Sequence, residues 1–257
     1  MNPAILKDIA LFVLDMDGTI YLGERPFPAA IEFIRRAKAS GRRIVYFTNN
    51  ASKNPAVYYE KLLRLGFSAE REEIVTAGDV TAEYLQTYHK GAKVYLVGTP
   101  FLEASFREKG IFLTDGREAD IVVSSFDTTL TYEKLEKACT LIRNGARFYS
   151  THPDFNCPTE TGFIPDSGAI CASTGVQPRY FGKPHKETAE MITRRFGVPS
   201  ARTAVVGDRL YTDIALGRNN GLTSILVLTG ETKREDVNDA NAPDFIFENI
   251  GEIAAFF

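Results

Sequence analysis

Two carboxylates one residue apart, Asp15 and Asp17, follow the apolar run Ile9 to Leu14 and precede Gly18-Thr19. On an extended backbone residues i and i+2 share a face, so both aspartates can look into one crevice while Met16 points away. Gly18 permits a sharp turn as the strand ends. A second acidic strand end lies near the other terminus, where Ala204-Val205-Val206 leads into Gly207-Asp208-Arg209-Leu210-Tyr211-Thr212-Asp213. Carboxylates gathered in this way make an oxygen-lined site for a hard cation. Mg²⁺ suits it best, because it takes a few carboxylates, keeps some water and bridges to phosphate oxygens. A third apolar run ends in Phe47-Thr48-Asn49-Asn50, whose hydroxyl, amides and backbone N–H groups are phosphate-holding donors beside the positive end of a following helix. Gly182-Lys183-Pro184 adds a lysine in a stiff turn, a point charge able to neutralise phosphate.

Taken singly, each feature has a plain structural explanation. A DxD pair most often serves a turn or helix cap, Asp208 and Asp213 can cap the helix after Gly207, Thr48 can be a strand-end hydroxyl and Lys183 a solvated surface charge. Order and context change that, because three of the four clusters follow runs with the same character. Ile9–Leu14, Ile44–Phe47, Ala204–Val206 and Ile225–Leu228 are apolar without alternation, as strands buried on both faces of a parallel sheet must be. Helical patterns lie between them at Ala29–Ala39, Pro55–Leu65, Glu187–Phe196 and Thr212–Asn220, with Gly41, Gly66, Gly197 and Gly221 placed as left-handed C-terminal caps. Strand, helix and strand at this pace predict a doubly wound parallel-sheet α/β core, and such sheets bind ligands at the carboxyl ends of their strands.

The middle of the chain has its own alternation. Strands are expected at Val94–Val97, Ile121–Ser124 and Arg147–Ser150 and helices near Phe101–Lys109 and Tyr132–Asn144, with hinges at Thr76–Asp79 and in the stretch ending at Phe181–Pro184. The expected organisation is a core of residues 1–78 and 181–257 interrupted by a smaller α/β domain of residues 79–180, within the usual domain size.

Composition narrows the function classes. The 257 residues are 44% apolar and 25% charged, ordinary values for a globular protein, and the net charge of −3 offers no overall electrostatic footprint for nucleic acid or an anionic membrane. The longest apolar run falls far short of the ~20 residues of a membrane span, and the N-terminus lacks the order of a signal peptide. Cys139, Cys157 and Cys171 are odd in number and too widely spaced for a CxxC pair. They are expected as free thiols of a reducing, cytoplasmic compartment.

The order of the four clusters resembles the haloacid dehalogenase superfamily, matching Asp15-Met16-Asp17-Gly18-Thr19, Thr48-Asn49-Asn50, Lys183 and Gly207 to Asp213. Too little chain separates Thr19 from Thr48 to hold a cap domain. The insertion falls instead between the second and third motifs, which is similar to the NagD-like, p-nitrophenylphosphatase-like branch with a C2-type α/β cap. Thr151-His152-Pro153-Asp154 and Pro165-Asp166-Ser167-Gly168 also resemble that branch, whereas the segment from Ser167 to Phe181 is shorter than its usual cap-closing helix.

The resemblance implies a Mg²⁺-dependent phosphatase of small phosphorylated metabolites such as nucleoside monophosphates or sugar phosphates. It makes Asp15 the nucleophile that forms an aspartyl phosphate, and Asp17 the general acid and base. Thr48, Asn49 and Lys183 would hold the phosphoryl group. Asp15, the main-chain carbonyl of Asp17, and Asp208 would hold the metal, with Asp213 one layer further out. In the cap, His152, Asp154 and Asn156 are expected to read the substrate, while His89 and His185 are expected to be structural or exposed. Two alternatives remain: a phosphoryl-accepting signalling or binding module without multiple turnover, and a phosphotransferase or mutase on the same core. The implied partner is a small phosphomonoester, with no nucleic acid or membrane, and oligomeric state stays open.

Overall fold

The computed structural model describes residues 3–159 and 162–256, which form two compact units. The first comprises Met1–Thr48, Pro55–Val75 and Lys183–Phe257, the second Asn49–Asn54 and Thr76–Gly182. Residues 49–54 thus group with the second unit although they precede its main segment.

From the N-terminus, helix α1 (Ile5–Asp8) leads to strand β1 (Leu11–Asp15), the hairpin β2 (Tyr21–Leu22) and β3 (Arg25–Pro26), helix α2 (Pro28–Ala39), strand β4 (Arg43–Thr48), helix α3 (Pro55–Arg64) and strand β5 (Ile74–Thr76). The chain continues through α4 (Ala77–Tyr88), β6 (Val94–Val97), α5 (Pro100–Glu108), β7 (Ile121–Ser124), α6 (Tyr132–Arg143) and β8 (Arg147–Ser150). Next come β9 (Asn156–Thr159), β10 (Gly162–Pro165), α7 (Ala169–Thr174) and β11 (Arg179–Tyr180). The last elements are α8 (Lys186–Phe196), β12 (Thr203–Gly207), α9 (Ala215–Asn220), β13 (Thr223–Val227) and β14 (Phe245–Phe247).

The first unit is built on a six-stranded sheet in the order β14-β13-β12-β1-β4-β5. β1 lies between β4 and β12 and runs parallel to both, so the chain winds outward to either side of it. That arrangement creates the switch point at which open α/β sheets bind ligands. The register pairs Asp15 with Phe47 and Leu14 with Val206, which brings Asp15, Thr48 and Gly207 out on the same rim. The apolar runs predicted from sequence are buried except for the partly exposed Ala10 and Leu228, and Phe12 meets Phe33 of α2 edge to face, ring centroids 5.2 Å apart. Gly41, Gly66, Gly197 and Gly221 all take positive φ.

One expectation needs correction. The helix predicted over Thr212–Asn220 is divided: a π-helical turn covers Leu210–Ile214, and α9 begins only at Ala215. The N–H groups of Asp213 and Ile214 both reach the Arg209 carbonyl, at 3.1 and 3.2 Å, which widens the turn. Thr76–Asp79, where a hinge is expected, is a capped helix start at the beginning of the second unit's main segment. Thr76 Oγ1 accepts from the Asp79 N–H at 3.2 Å, and the Thr76 N–H donates to Asp79 Oδ2 at 2.8 Å, a reciprocal cap.

The second unit carries a four-stranded sheet, β11-β8-β7-β6, whose neighbours all run parallel, and the antiparallel hairpin β9–β10. Cys139 and Cys171 are buried free thiols in its core. The side chain of Cys157 lies outside the described residues. Among those residues, no helix is long and apolar enough to cross a membrane.

The core of the first unit generates a stability prediction. Phe33→Ala removes a fully buried ring from the Phe12 contact. It should lower unfolding free energy by about 3–5 kcal/mol, read from the urea midpoint.

Candidate active site

Asp15 ends β1 with its side chain 14% exposed, and Lys183 is 2% exposed. The Lys183 ammonium donates to Asp15 Oδ1 and to Asp213 Oδ1, both at 2.5 Å. The other Asp213 oxygen accepts from the Arg209 N–H at 3.3 Å and the Thr212 hydroxyl at 3.2 Å, so the widened turn holds this carboxylate inward. Asp15 Oδ2 accepts from the Thr19 hydroxyl at 3.4 Å. The carboxylates of Asp15, Asp208 and Asp213 offer oxygens that all lie within 4.8 Å of one another.

Asp208 tests whether a cation fits here. Its Oδ2 accepts from the Glu231 N–H at 2.7 Å, whereas its Oδ1 is buried without a hydrogen-bond partner. Buried polar atoms are ordinarily satisfied, and an orphaned carboxylate oxygen beside two further carboxylates is the donor set a hard cation takes. The residues present therefore fit Mg²⁺.

The electrostatics point the same way. Burial pushes the Asp15 carboxyl up to about 7; the Lys183 charge opposes this, and Asp213 and Asp208 add to it. Burial and the Asp213 charge push Asp208 up to about 6. Burial alone would lower Lys183, but Asp15 and Asp213 outweigh it and hold the ammonium above its ordinary value. Against Asp15, Asp208 and Asp213 stand the Lys183 ammonium and the Arg209 guanidinium, the latter shared with Glu231, and the negative charge left over is of the kind a divalent cation would offset.

The turn after β1 is tightly built. The Met16 carbonyl accepts from Thr19, Ile20 and Tyr21 N–H groups at 3.3, 3.0 and 3.3 Å. Gly18 has φ +90°, and a Cβ there would stand 2.6 Å from Asp208 Oδ2. Asp17, next to it, is exposed. Thr48 is buried at the end of β4, on the rim that carries Asp15. Asn49, also buried, belongs to the second unit, where its Oδ1 would stand 2.5 Å from a Cβ at Gly182. Asp15, Lys183, Asp208 and Asp213 are thus brought into one cluster, which the side chain of Asp17 does not join.

Sequence reasoning overlooked Thr229-Gly230-Glu231, which follows β13. The Thr229 hydroxyl donates to the Gly18 carbonyl at 2.6 Å, and the Glu231 N–H holds Asp208. A Cβ on Gly230 would stand 2.0 Å from Asp208 Oδ2, so only glycine fits. The Glu231 carboxylate forms an ion pair with Arg209, whose Nε lies 3.0 Å away, and accepts from the Tyr211 hydroxyl at 3.4 Å. The signal was available: Ile225–Leu228 is a buried run followed by small polar residues, like the other strand ends.

His152, expected to read substrate, is buried. One ring nitrogen lies 2.9 Å from Asp166 Oδ1 and the other 2.8 Å from Thr151 Oγ1. Its ring therefore fastens the two ends of the β9–β10 hairpin rather than presenting a free edge. His89 is structural, between the Tyr149 hydroxyl at 2.8 Å and Arg147 at 3.1 Å. His185 takes the N-cap position of α8, and Asn156 is exposed at the start of β9.

The buried ion pairs generate a prediction. Lys183→Met leaves Asp15 and Asp213 without their shared cation. It should lower stability by about 3–5 kcal/mol, measured by urea unfolding in EDTA.

Comparison with known proteins accords with this geometry. Residues 12–112 match the family described as haloacid dehalogenase-like hydrolase, and residues 180–253 match the HAD-hydrolase-like family. The acid sugar phosphatase of Staphylococcus aureus is 37% identical over 97% of this chain and 98% of its own length. The 5'-nucleotidase YutF of Bacillus subtilis is 38% identical over 91% of this chain and 93% of its own. The solved structure of a 4-nitrophenylphosphatase from Thermotoga maritima superposes with TM-score 0.93 at 46% identity, covering 98% of each chain. With identity over nearly its whole length and the carboxylate–lysine cluster at its strand ends, the chain belongs to the haloacid dehalogenase-like hydrolases, in their NagD-like, p-nitrophenylphosphatase-like branch.

Proposed function

We propose that the protein is a Mg²⁺-dependent phosphatase of small phosphorylated metabolites, sugar phosphates or nucleoside monophosphates, acting through an aspartyl phosphate on Asp15. The observation that carries this reading is the buried cluster of Asp15, Asp208 and Asp213 around the Lys183 ammonium, with one Asp208 oxygen unsatisfied. Relatives named for a sugar phosphatase and a 5'-nucleotidase support the substrate class.

In this reading an Asp15 oxygen attacks phosphorus and the bond to the leaving oxygen breaks, while Asp17 gives that oxygen its proton. Water then attacks the aspartyl phosphate, Asp17 takes back a proton, and inorganic phosphate leaves with the Asp15 carboxylate restored. Lys183 neutralises charge on the phosphoryl group and holds Asp15 in line. Thr48 and Asn49 bind the phosphoryl oxygens. Asp15, Asp208 and the Asp17 carbonyl would hold Mg²⁺, which when bound supplies the positive charge that lets a phosphate dianion approach these carboxylates. Residues 79–180 are assigned the role of the family's cap, with Asp154 and Asn156 kept as its substrate-reading candidates. The cytoplasm is the proposed compartment, supported by the buried free thiols of Cys139 and Cys171.

Incubation with p-nitrophenyl phosphate and Mg²⁺ should give many turnovers per chain. Uptake of a single phosphoryl group would instead indicate a signalling module and overturn the phosphatase reading. Asp15→Asn should abolish turnover with the fold intact by circular dichroism, and EDTA should stop the reaction until Mg²⁺ is restored. Saturating Mg²⁺ should also raise the Tm of the wild-type protein by about 5 °C. Asp208→Asn should erase that shift, and a shift that survives the substitution would remove Asp208 from the metal site.

A further inference from the structure

Asp17 is carried by a small structure of its own. It pairs with Tyr21 through an isolated β-bridge, and the Gly18 N–H donates to the Tyr21 carbonyl at 2.8 Å. The hairpin that follows has only two residue pairs, Tyr21 with Pro26 and Leu22 with Arg25. A ribbon that short has no independent stability, so whatever anchors it decides where Asp17 stands.

The anchor is α3. Lys61 Nζ lies 4.0 Å from the centroid of the buried Tyr21 ring and 3.9 Å from Oε1 of Glu24, the second of the two residues between β2 and β3. Arg64, one turn along α3, reaches the other Glu24 oxygen at 2.8 Å. The two contacts differ in weight. The Arg64–Glu24 pair is 60% and 66% exposed, where water and salt screen it. Lys61 is 17% exposed with its cation over an aromatic face, the partly desolvated setting in which a cation–π contact is strongest.

We propose that Lys61 is a positioning residue for Asp17: clamped between the Tyr21 ring and Glu24, its ammonium fixes the hairpin that sets where the Asp17 carboxyl meets the leaving oxygen. This rests on the phosphatase reading above. A misplaced general acid leaves a distinct kinetic signature, because an alkoxide cannot depart without a proton whereas p-nitrophenolate can.

The test compares kcat/KM for p-nitrophenyl phosphate with kcat/KM for a primary alkyl phosphate, both on the Mg²⁺-loaded protein. Lys61→Met should lower the alkyl value by about tenfold and the nitrophenyl value by less than about threefold. The ratio of the two is independent of the folded fraction, so partial unfolding cannot imitate the effect. Lys61→Arg keeps a cation that stacks on rings and should restore both values to within about threefold of wild type. Equal losses on both esters, or no loss on either, would overturn the proposal. Asp17→Asn serves as the reference and should show the same selectivity more severely, by about 100-fold or more on the alkyl ester. If Asp17→Asn depresses both esters alike, the acid assignment fails. If Asp17→Asn is selective and Lys61→Met is not, the clamp alone fails.

Discussion

Three buried carboxylates at the carboxyl rim of one parallel sheet repel one another, and the first unit is organised around that repulsion. Inside a protein, charges a few ångströms apart interact far more strongly than in water. Burial first, and the neighbouring carboxylates after it, raise the Asp15 and Asp208 carboxyls. Lys183 answers the repulsion in part with two contacts at 2.5 Å, and the backbone N–H groups of Arg209 and Glu231 answer more of it. What stays unanswered is concentrated on Asp208 Oδ1. A site that leaves its remaining electrostatic demand on one oxygen is preorganised for a cation, because the ligands need not be gathered when the ion arrives.

Holding carboxylates this closely requires backbone without side chains beside them. A Cβ on Gly207 would stand 2.1 Å from Asp213 Cγ, and one on Gly230 would stand 2.0 Å from Asp208 Oδ2. These glycines end neighbouring parallel strands or follow them closely, and the register of β1, β12 and β13 sets the spacing between their carboxylates. The sheet is therefore the ruler of the site. The buried core of Phe12, Leu14, Val206 and Ile225 holds that ruler straight.

Much of this was legible in the sequence because strand ends carry local signals. An apolar run leading into carboxylates beside a glycine marks Asp15 and Asp208 as acidic strand-end residues without knowledge of the fold. The sequence presents Lys183 as a turn lysine able to neutralise phosphate, but its pairing with Asp15, 168 residues away, exists only in the tertiary structure. The π-helical turn at Leu210–Ile214 was hidden because its extra width arises from shared hydrogen bonds to the Arg209 carbonyl, which no apolar periodicity encodes. His152 looked like a ligand-reading residue because a loop histidine beside Pro and Asp is polar. Asp166, fourteen positions on, occupies its ring edge. Lys61 carries no comparable signal, because the ring and the carboxylate it meets belong to a hairpin about forty residues earlier in the chain.

The two aspartates of the DxD pair are treated oppositely by the fold, and that difference accords with two roles. Asp15 sits on the sheet, largely buried, with each oxygen hydrogen-bonded. A nucleophile gains from such rigidity, since in-line attack tolerates little misplacement. Asp17 lies beyond the strand, exposed, on a turn tied to a hairpin. A group that must first donate a proton and later accept one needs access to both the leaving oxygen and the attacking water. Rigidity is then required of its mounting rather than of its immediate surroundings, and α3 contributes to that mounting through Lys61. One strand end can in this way serve two kinds of chemistry, because two residues beyond Asp15 the chain has already left the sheet.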